Sequence, residues 1–112
     1  MDKIVDETEL NEIMDNDIEL IKECFNDFII EYPQMLSDIK KAIKSQDASH
    51  LDTSAHKLKG SLKYLAAKAA AEIAYQLEYM GKNESLDKSQ DIYIKLEIEC
   101  QKLQAFMEAY GA

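Results

Sequence analysis

A chain of 112 residues with a formal net charge of −9 suits one domain with a modest core, and its acidity disfavours nucleic acid and anionic membranes as partners. Hydrophobic residues make up 46%, with a single proline and three glycines, so few positions interrupt helices and an all-α domain over 1–112 is expected. No run approaches the roughly 20 apolar residues of a membrane span, and the acidic N-terminus lacks a secretory pattern, which points to a soluble, cytoplasmic protein.

Asp6-Glu7-Thr8-Glu9 sets a capping residue three positions before a carboxylate and opens a short helix over about 7–14. Asp15-Asn16-Asp17 interrupts it and caps a second helix over about 17–32, whose apolar stripe is Ile18, Ile21, Phe25, Phe28, Ile29 and Tyr32. Pro33 marks a kink or a fresh first turn, and Leu36, Ile39 and Ile43 continue with helical period over about 33–45. Asp47 suits the N-cap of a helix over about 47–65, striped by Leu51, Ala55, Leu58, Leu62 and Leu65. The next helix, about 67–80, turns Ala70, Ile73, Leu77 and Met80 inward and ends on Gly81 as its C-terminal cap. After a turn at Asn83-Glu84-Ser85, the series Leu86, Tyr93, Leu96, Cys100, Leu103, Met107 and Tyr110 spans a last helix over about 86–109.

Short connections favour antiparallel neighbours, so 33–45, 47–65, 67–80 and 86–109 are expected to form an antiparallel four-helix bundle, with 7–14 and 17–32 packed on it. Cys24 and Cys100 both fall on apolar stripes and read as buried thiols in a reducing compartment; no Cys or His pair has metal-site spacing. A chain running from Met1 to Gly111-Ala112 leans towards a stand-alone protein, with a module of a larger protein left open.

The helix over 47–65 carries the unusual chemistry. At about 100° per residue, His56 stands roughly 140° from the centre of the apolar stripe and faces solvent. Lys59, Gly60 and Lys63 share that outer face. A mid-helix glycine costs about 1 kcal/mol relative to alanine, and Gly60 leaves space beside the imidazole. Between Thr53 and Ala71 there is no Asp or Glu, but there are Lys57, Lys59, Lys63 and Lys68, a local positive site around an exposed nucleophile. Singly, each residue has a plainer account: surface histidines and lysines are usually solvated, and a helical glycine can serve packing. Their conjunction singles out the face. His50, with no Lys-Gly pair after it, and Asp52 read as ordinary surface.

The run His56-Lys57-Leu58-Lys59-Gly60-Ser61, followed by Leu65-Ala66-Ala67 and closed by Leu77-Glu78, resembles the core of histidine-containing phosphotransfer (HPt) domains. That core reads His-x-Leu-Lys-Gly-Ser, then Leu-Gly-Ala, then Leu-Glu. Asp47 and Leu51 also sit where the family often has Asp and Leu, and the helix layout fits nearly the whole chain. Ala66 departs from the usual Gly, Ala70 from Leu, and Lys63 and Tyr64 from smaller or amide residues.

The resemblance implies a phosphorelay intermediate of two-component signalling, taking a phosphoryl group from a receiver-domain aspartyl phosphate and passing it to another receiver. It implies that His56 is the phospho-acceptor, neutral imidazole being a good nucleophile near pH 7. Lys59 would stabilise phosphoryl charge, Lys63 would add a longer-range contribution and Gly60 would keep the approach open. Glu78, accepting from Nδ1–H, would orient the imidazole. The chain has no nucleotide loop, general-base pair or metal site, so a carrier without autonomous catalysis and without a cofactor is expected, magnesium belonging to the receiver partner. Expected partners are receiver domains, with a hybrid histidine kinase a further candidate. They would dock on an apolar patch beside His56 and near the N-terminal helices of a monomer. Two alternatives remain open: a helical adaptor that binds receivers without phosphoryl chemistry, and the phospho-acceptor module of a larger kinase, such as a chemotaxis kinase, whose ATP-using domain would phosphorylate His56 directly.

Overall fold

Asp6, Asp17 and Asp47 each turn a side-chain oxygen onto the backbone N–H three residues ahead, at 3.1, 3.1 and 3.0 Å. Each satisfies a donor that a helix start leaves orphaned. These caps open the first three of five helices: α1 (Glu7–Ile13), α2 (Ile18–Lys44), α3 (Ala48–Tyr64), α4 (Lys68–Lys82) and α5 (Ser89–Ala109). The computed structural model describes residues 4–110; Met1 and Gly111-Ala112, on which the stand-alone expectation rests, lie outside the described residues.

The first four helices end alike. Asp15, Gln46, Ala66 and Glu84 take left-handed backbone at φ 56°, 56°, 57° and 52°. The N–H of the residue after each reaches back over the last turn, Asn16 to Asn11, Asp47 to Ala42, Ala67 to Leu62 and Ser85 to Met80, at 2.8 to 3.0 Å. This arrangement satisfies the orphaned carbonyls and lets the chain reverse within a few residues. The Ala66 departure from the family's glycine thus falls on backbone that glycine adopts without a steric penalty.

The expected break at Pro33 does not occur: α2 runs unbroken through it for 27 residues. A proline inside a helix costs about 3 kcal/mol. On either side of it, Ile21, Phe25, Phe28, Tyr32, Leu36, Ile39 and Ile43 are all buried along one continuous stripe, while Pro33 itself faces outward. Each such side chain contributes about 1.5–3 kcal/mol on burial, so one long packed face outweighs the local defect. The bundle is therefore α2–α3–α4–α5, each helix packed on the next and α5 closing on α2, within 41 × 24 × 22 Å. Phe25 meets the partly buried rings of Phe106 and Tyr110 edge-on at the margin of the core. Cys100 is buried, and burial first, then Glu99 and Glu97, pushes its thiol up to about 12. Cys24, expected to be buried, is only half-buried at the rim of the α2–α3 groove.

The short α1 covers the turn between α3 and α4. Val5, Leu10 and Met14 are buried there, and the Asp6 N–H donates to the Ala66 carbonyl at 2.9 Å.

The largest departure from expectation is in α4. Its buried residues are Ala70, Ala71, Ala74, Leu77, Glu78 and Gly81, whereas Ile73 and Met80 are only partly buried at the edge. The inward face is small rather than bulky, which lets α4 lie close against α3. Gly81 is not a cap; it lies inside α4, and Asn83 is the C-cap. A Cβ on Gly81 would stand 2.5 Å from the Asp52 backbone nitrogen and 2.7 Å from the Ala48 carbonyl oxygen. Around Gly60, by contrast, a Cβ would meet nothing within 4 Å.

The two glycines therefore predict opposite responses to alanine. Gly60→Ala gains helix propensity in open space and should raise stability by up to about 1 kcal/mol. Gly81→Ala drives a methyl into α3 backbone and should lower it by about 1–3 kcal/mol. Urea unfolding of both variants checks the signs.

Candidate functional site

The outer face of α3 meets α4 at one buried carboxylate. Glu78 is 3% exposed although it is charged, and one imidazole and two ammonium groups converge on it. His56 Nδ1 lies 3.0 Å from Oε2, and Lys59 Nζ lies 2.6 Å from Oε1. Lys82 Nζ stands 3.6 Å from Oε2 and also 3.7 Å from Asp52 Oδ1. The Lys59 ammonium further sits 5.3 Å from the centre of the Tyr75 ring, a cation–π distance.

Burial alone pushes the Glu78 carboxyl up, but hydrogen bonds from Lys59 and His56, together with their charges, overcome it and hold the group below the usual carboxylate range. Glu78 is thus ionised near neutrality, and an ionised carboxylate only accepts. The Nδ1 of a neutral His56 must therefore carry the proton and donate it to Oε2. The Nε2 lone pair is left free on a ring whose side chain is 67% exposed. Gly60, one turn along, leaves the adjoining space empty.

Of the residues singled out in the sequence, His56, Lys59, Gly60 and Glu78 are brought together. Lys63 is exposed farther along α3, on an open depression it shares with Lys59, Lys68, Glu9, Glu72 and Tyr75. The positive site is weaker than the run from Thr53 to Ala71 suggested, because its counter-charges come from outside that run. Lys59 is held by Glu78, and Lys68 by Glu9 at 2.8 Å and Asp6 at 3.3 Å. His50 is exposed, as expected. Asp52 is not plain surface: it is half-buried and joined to Lys82. Lys82 escaped notice, although its place four residues after Glu78, the favourable order for a helical ion pair, was readable.

Among the described residues, no group of three or more His, Cys, Asp or Glu is placed to hold a metal ion, and no helix is long and apolar enough to cross a membrane.

A depressed folded-state pKa makes Glu78 stabilising above the ordinary carboxylate value of about 4.3, with that contribution lost as pH falls through the lower folded value. Wild type should lose stability relative to Glu78→Gln as pH drops below about 4.3, measured by urea midpoints between about pH 7 and pH 3.

The sequence profile described as Hpt domain matches residues 23–106, a span that contains His56, Lys59, Gly60, Glu78 and Lys82. In fold, the chain is similar to the crystal structure of histidine-containing phosphotransfer protein B (HptB) from Pseudomonas aeruginosa PAO1. The TM-score is 0.89 at 18% identity, covering 96% of this chain and 94% of that one, and at this identity the likeness speaks to fold alone. No curated protein matches the chain.

Proposed function

This chain belongs to the Hpt domain family, and we propose that His56 is the residue on which it carries a phosphoryl group. Its role is histidine phosphotransfer in a two-component phosphorelay. The observation that carries the assignment to His56 is the 3.0 Å contact from its Nδ1 to a buried, ionised Glu78, which leaves Nε2 as a solvent-facing nucleophile.

On this reading the Nε2 lone pair attacks the phosphorus of a receiver's aspartyl phosphate. The N–P bond forms as the acyl O–P bond breaks, and the receiver's carboxylate leaves with the electron pair. The Nδ1 proton stays in place, so positive charge gathers on the ring opposite Glu78, which stabilises it. The return step is the same exchange run against the carboxylate of the next receiver. Negative charge on the equatorial oxygens is met by Lys59, whose flexible stem swings its ammonium from Glu78 to the phosphoryl group, with Lys63 contributing at longer range. Gly60 keeps the in-line approach clear for the receiver's loops.

The carrier needs no cofactor in this scheme; magnesium belongs to the receiver, which also supplies the remaining catalytic groups. We read the whole chain, 1–112, as one such domain, working as a cytoplasmic monomer with receiver domains, including that of a hybrid kinase. The groove between α2 and α3, lined by Cys24, Phe28, Tyr64 and Leu65 with Asp27, Glu31 and Ser61, supports docking on the α2 side of the histidine. Tyr64, half exposed, offers an amphipathic anchor there.

Incubation with a phosphorylated receiver should label wild type and leave His56→Gln unlabelled; equal labelling would overturn the assignment, and binding without any labelling would favour an adaptor. Lys59→Ala should slow transfer by about tenfold or more while the far-ultraviolet circular dichroism stays helical. An unchanged rate would remove Lys59 from the mechanism.

A further inference from the structure

Among the described residues, Glu78 is the one charged side chain that is buried. A buried carboxylate needs a cation beside it throughout a reaction cycle, because leaving it unpaired is costly. The mechanism above takes its nearest one away: Lys59, 2.6 Å from Oε1, is the ammonium that must go over to the phosphoryl group. The charge that develops on the His56 ring then faces Oε2, and Lys82 is the other cation within reach of that oxygen.

We propose that Lys82 is a positioning residue for phosphotransfer: it holds Glu78 ionised and turned towards His56 while Lys59 attends the phosphoryl group. The inference rests on the reading of His56 as acceptor. Lys82 Nζ is 3.6 Å from Glu78 Oε2, the oxygen that also faces His56 Nδ1. It is tethered from the other side by Asp52, 3.7 Å away on α3, one turn before His56. The Gly81 contact explains why this bridge forms. With no Cβ, Gly81 brings the last turn of α4 down onto the backbone of Ala48 and Asp52. The next residue, Lys82, then spans between the helices. Its side chain is 54% exposed, so a shift of a few tenths of an ångström towards Oε2 needs no repacking.

Lys82 also has a plainer account. A lysine in the last turn of a helix complements the helix dipole, and an exposed pair at four-residue spacing often contributes little. The two accounts differ in whether the effect of Lys82 passes through Glu78.

The test uses the full chain and one purified receiver, phosphorylated by a small-molecule phosphodonor. The initial rate of transfer and the final partition of phosphate are followed for wild type, Lys82→Met, Lys82→Arg, Glu78→Gln and the Glu78→Gln/Lys82→Met double variant. Lys82→Met should lower the maximal transfer rate constant by about three- to fivefold with the half-saturating receiver concentration unchanged, and shift the partition towards the receiver by a similar factor. Lys82→Arg should restore both. In the Glu78→Gln background, where no buried charge needs holding, Lys82→Met should have almost no effect. Equal losses in both backgrounds, or a Lys82→Met protein that behaves as wild type, would overturn the proposal while leaving His56 in place. Labelling of His56→Gln at the wild-type level would instead sink the acceptor assignment, and this inference with it.

Discussion

A carboxylate removed from water between two helices sets the terms for the rest of this molecule. Glu78 stays ionised there because Lys59 and His56 on α3 hydrogen-bond to it, and they reach it only if α3 and α4 lie close together. The alanines of α4 and the missing side chain at Gly81 meet that demand. The remaining core, with its large residues on α2 and α5, can then be ordinary bundle packing that holds the close pair in place. The His56 imidazole takes its tautomer from this arrangement, so which nitrogen of an exposed ring stays free is decided by a group that solvent barely touches.

Much of the scaffold was legible because it is local. Three aspartate caps announce themselves by residue type and by the apolar series that follows each, and the stripes of α3 and α5 obey a single period. What was not legible depends on what lies across the gap. Pro33 looks like a boundary to any rule that weighs the backbone of one helix; only the burial of residues on both sides of it shows why α2 continues. In α4, Ile73 and Met80 are the more hydrophobic candidates, yet the alanine face wins because the space beside α3 is narrow. Gly81 near a helix end suggests a cap, and its true constraint is a neighbouring backbone distant in sequence.

The candidate site divides in the same way. His56, Lys59 and Gly60 lie within five residues of one another, and their spacing was enough to place them on one face. Glu78 came only through the resemblance to the HPt pattern, since nothing in its own segment says that a Glu among tyrosines is buried. Lys82 was readable only through its four-residue spacing from Glu78, and its link to Asp52 exists only across the α3–α4 contact. The acid-free run from Thr53 to Ala71 misled for a related reason: linear charge counts cannot see the carboxylates of Asp6, Glu9 and Glu78 arriving from other parts of the chain.

The clasp of Asp6 and Glu9 on Lys68 has a consequence for how a partner finds this surface. With Lys59 and Lys68 both compensated, and the chain as a whole at −9, little positive potential extends beyond the roughly 8 Å over which physiological salt screens a charge. Long-range attraction of an anionic partner to this face is therefore weak. A partner that meets this face gains little from a guiding field, so its association there should be slow and tolerant of salt.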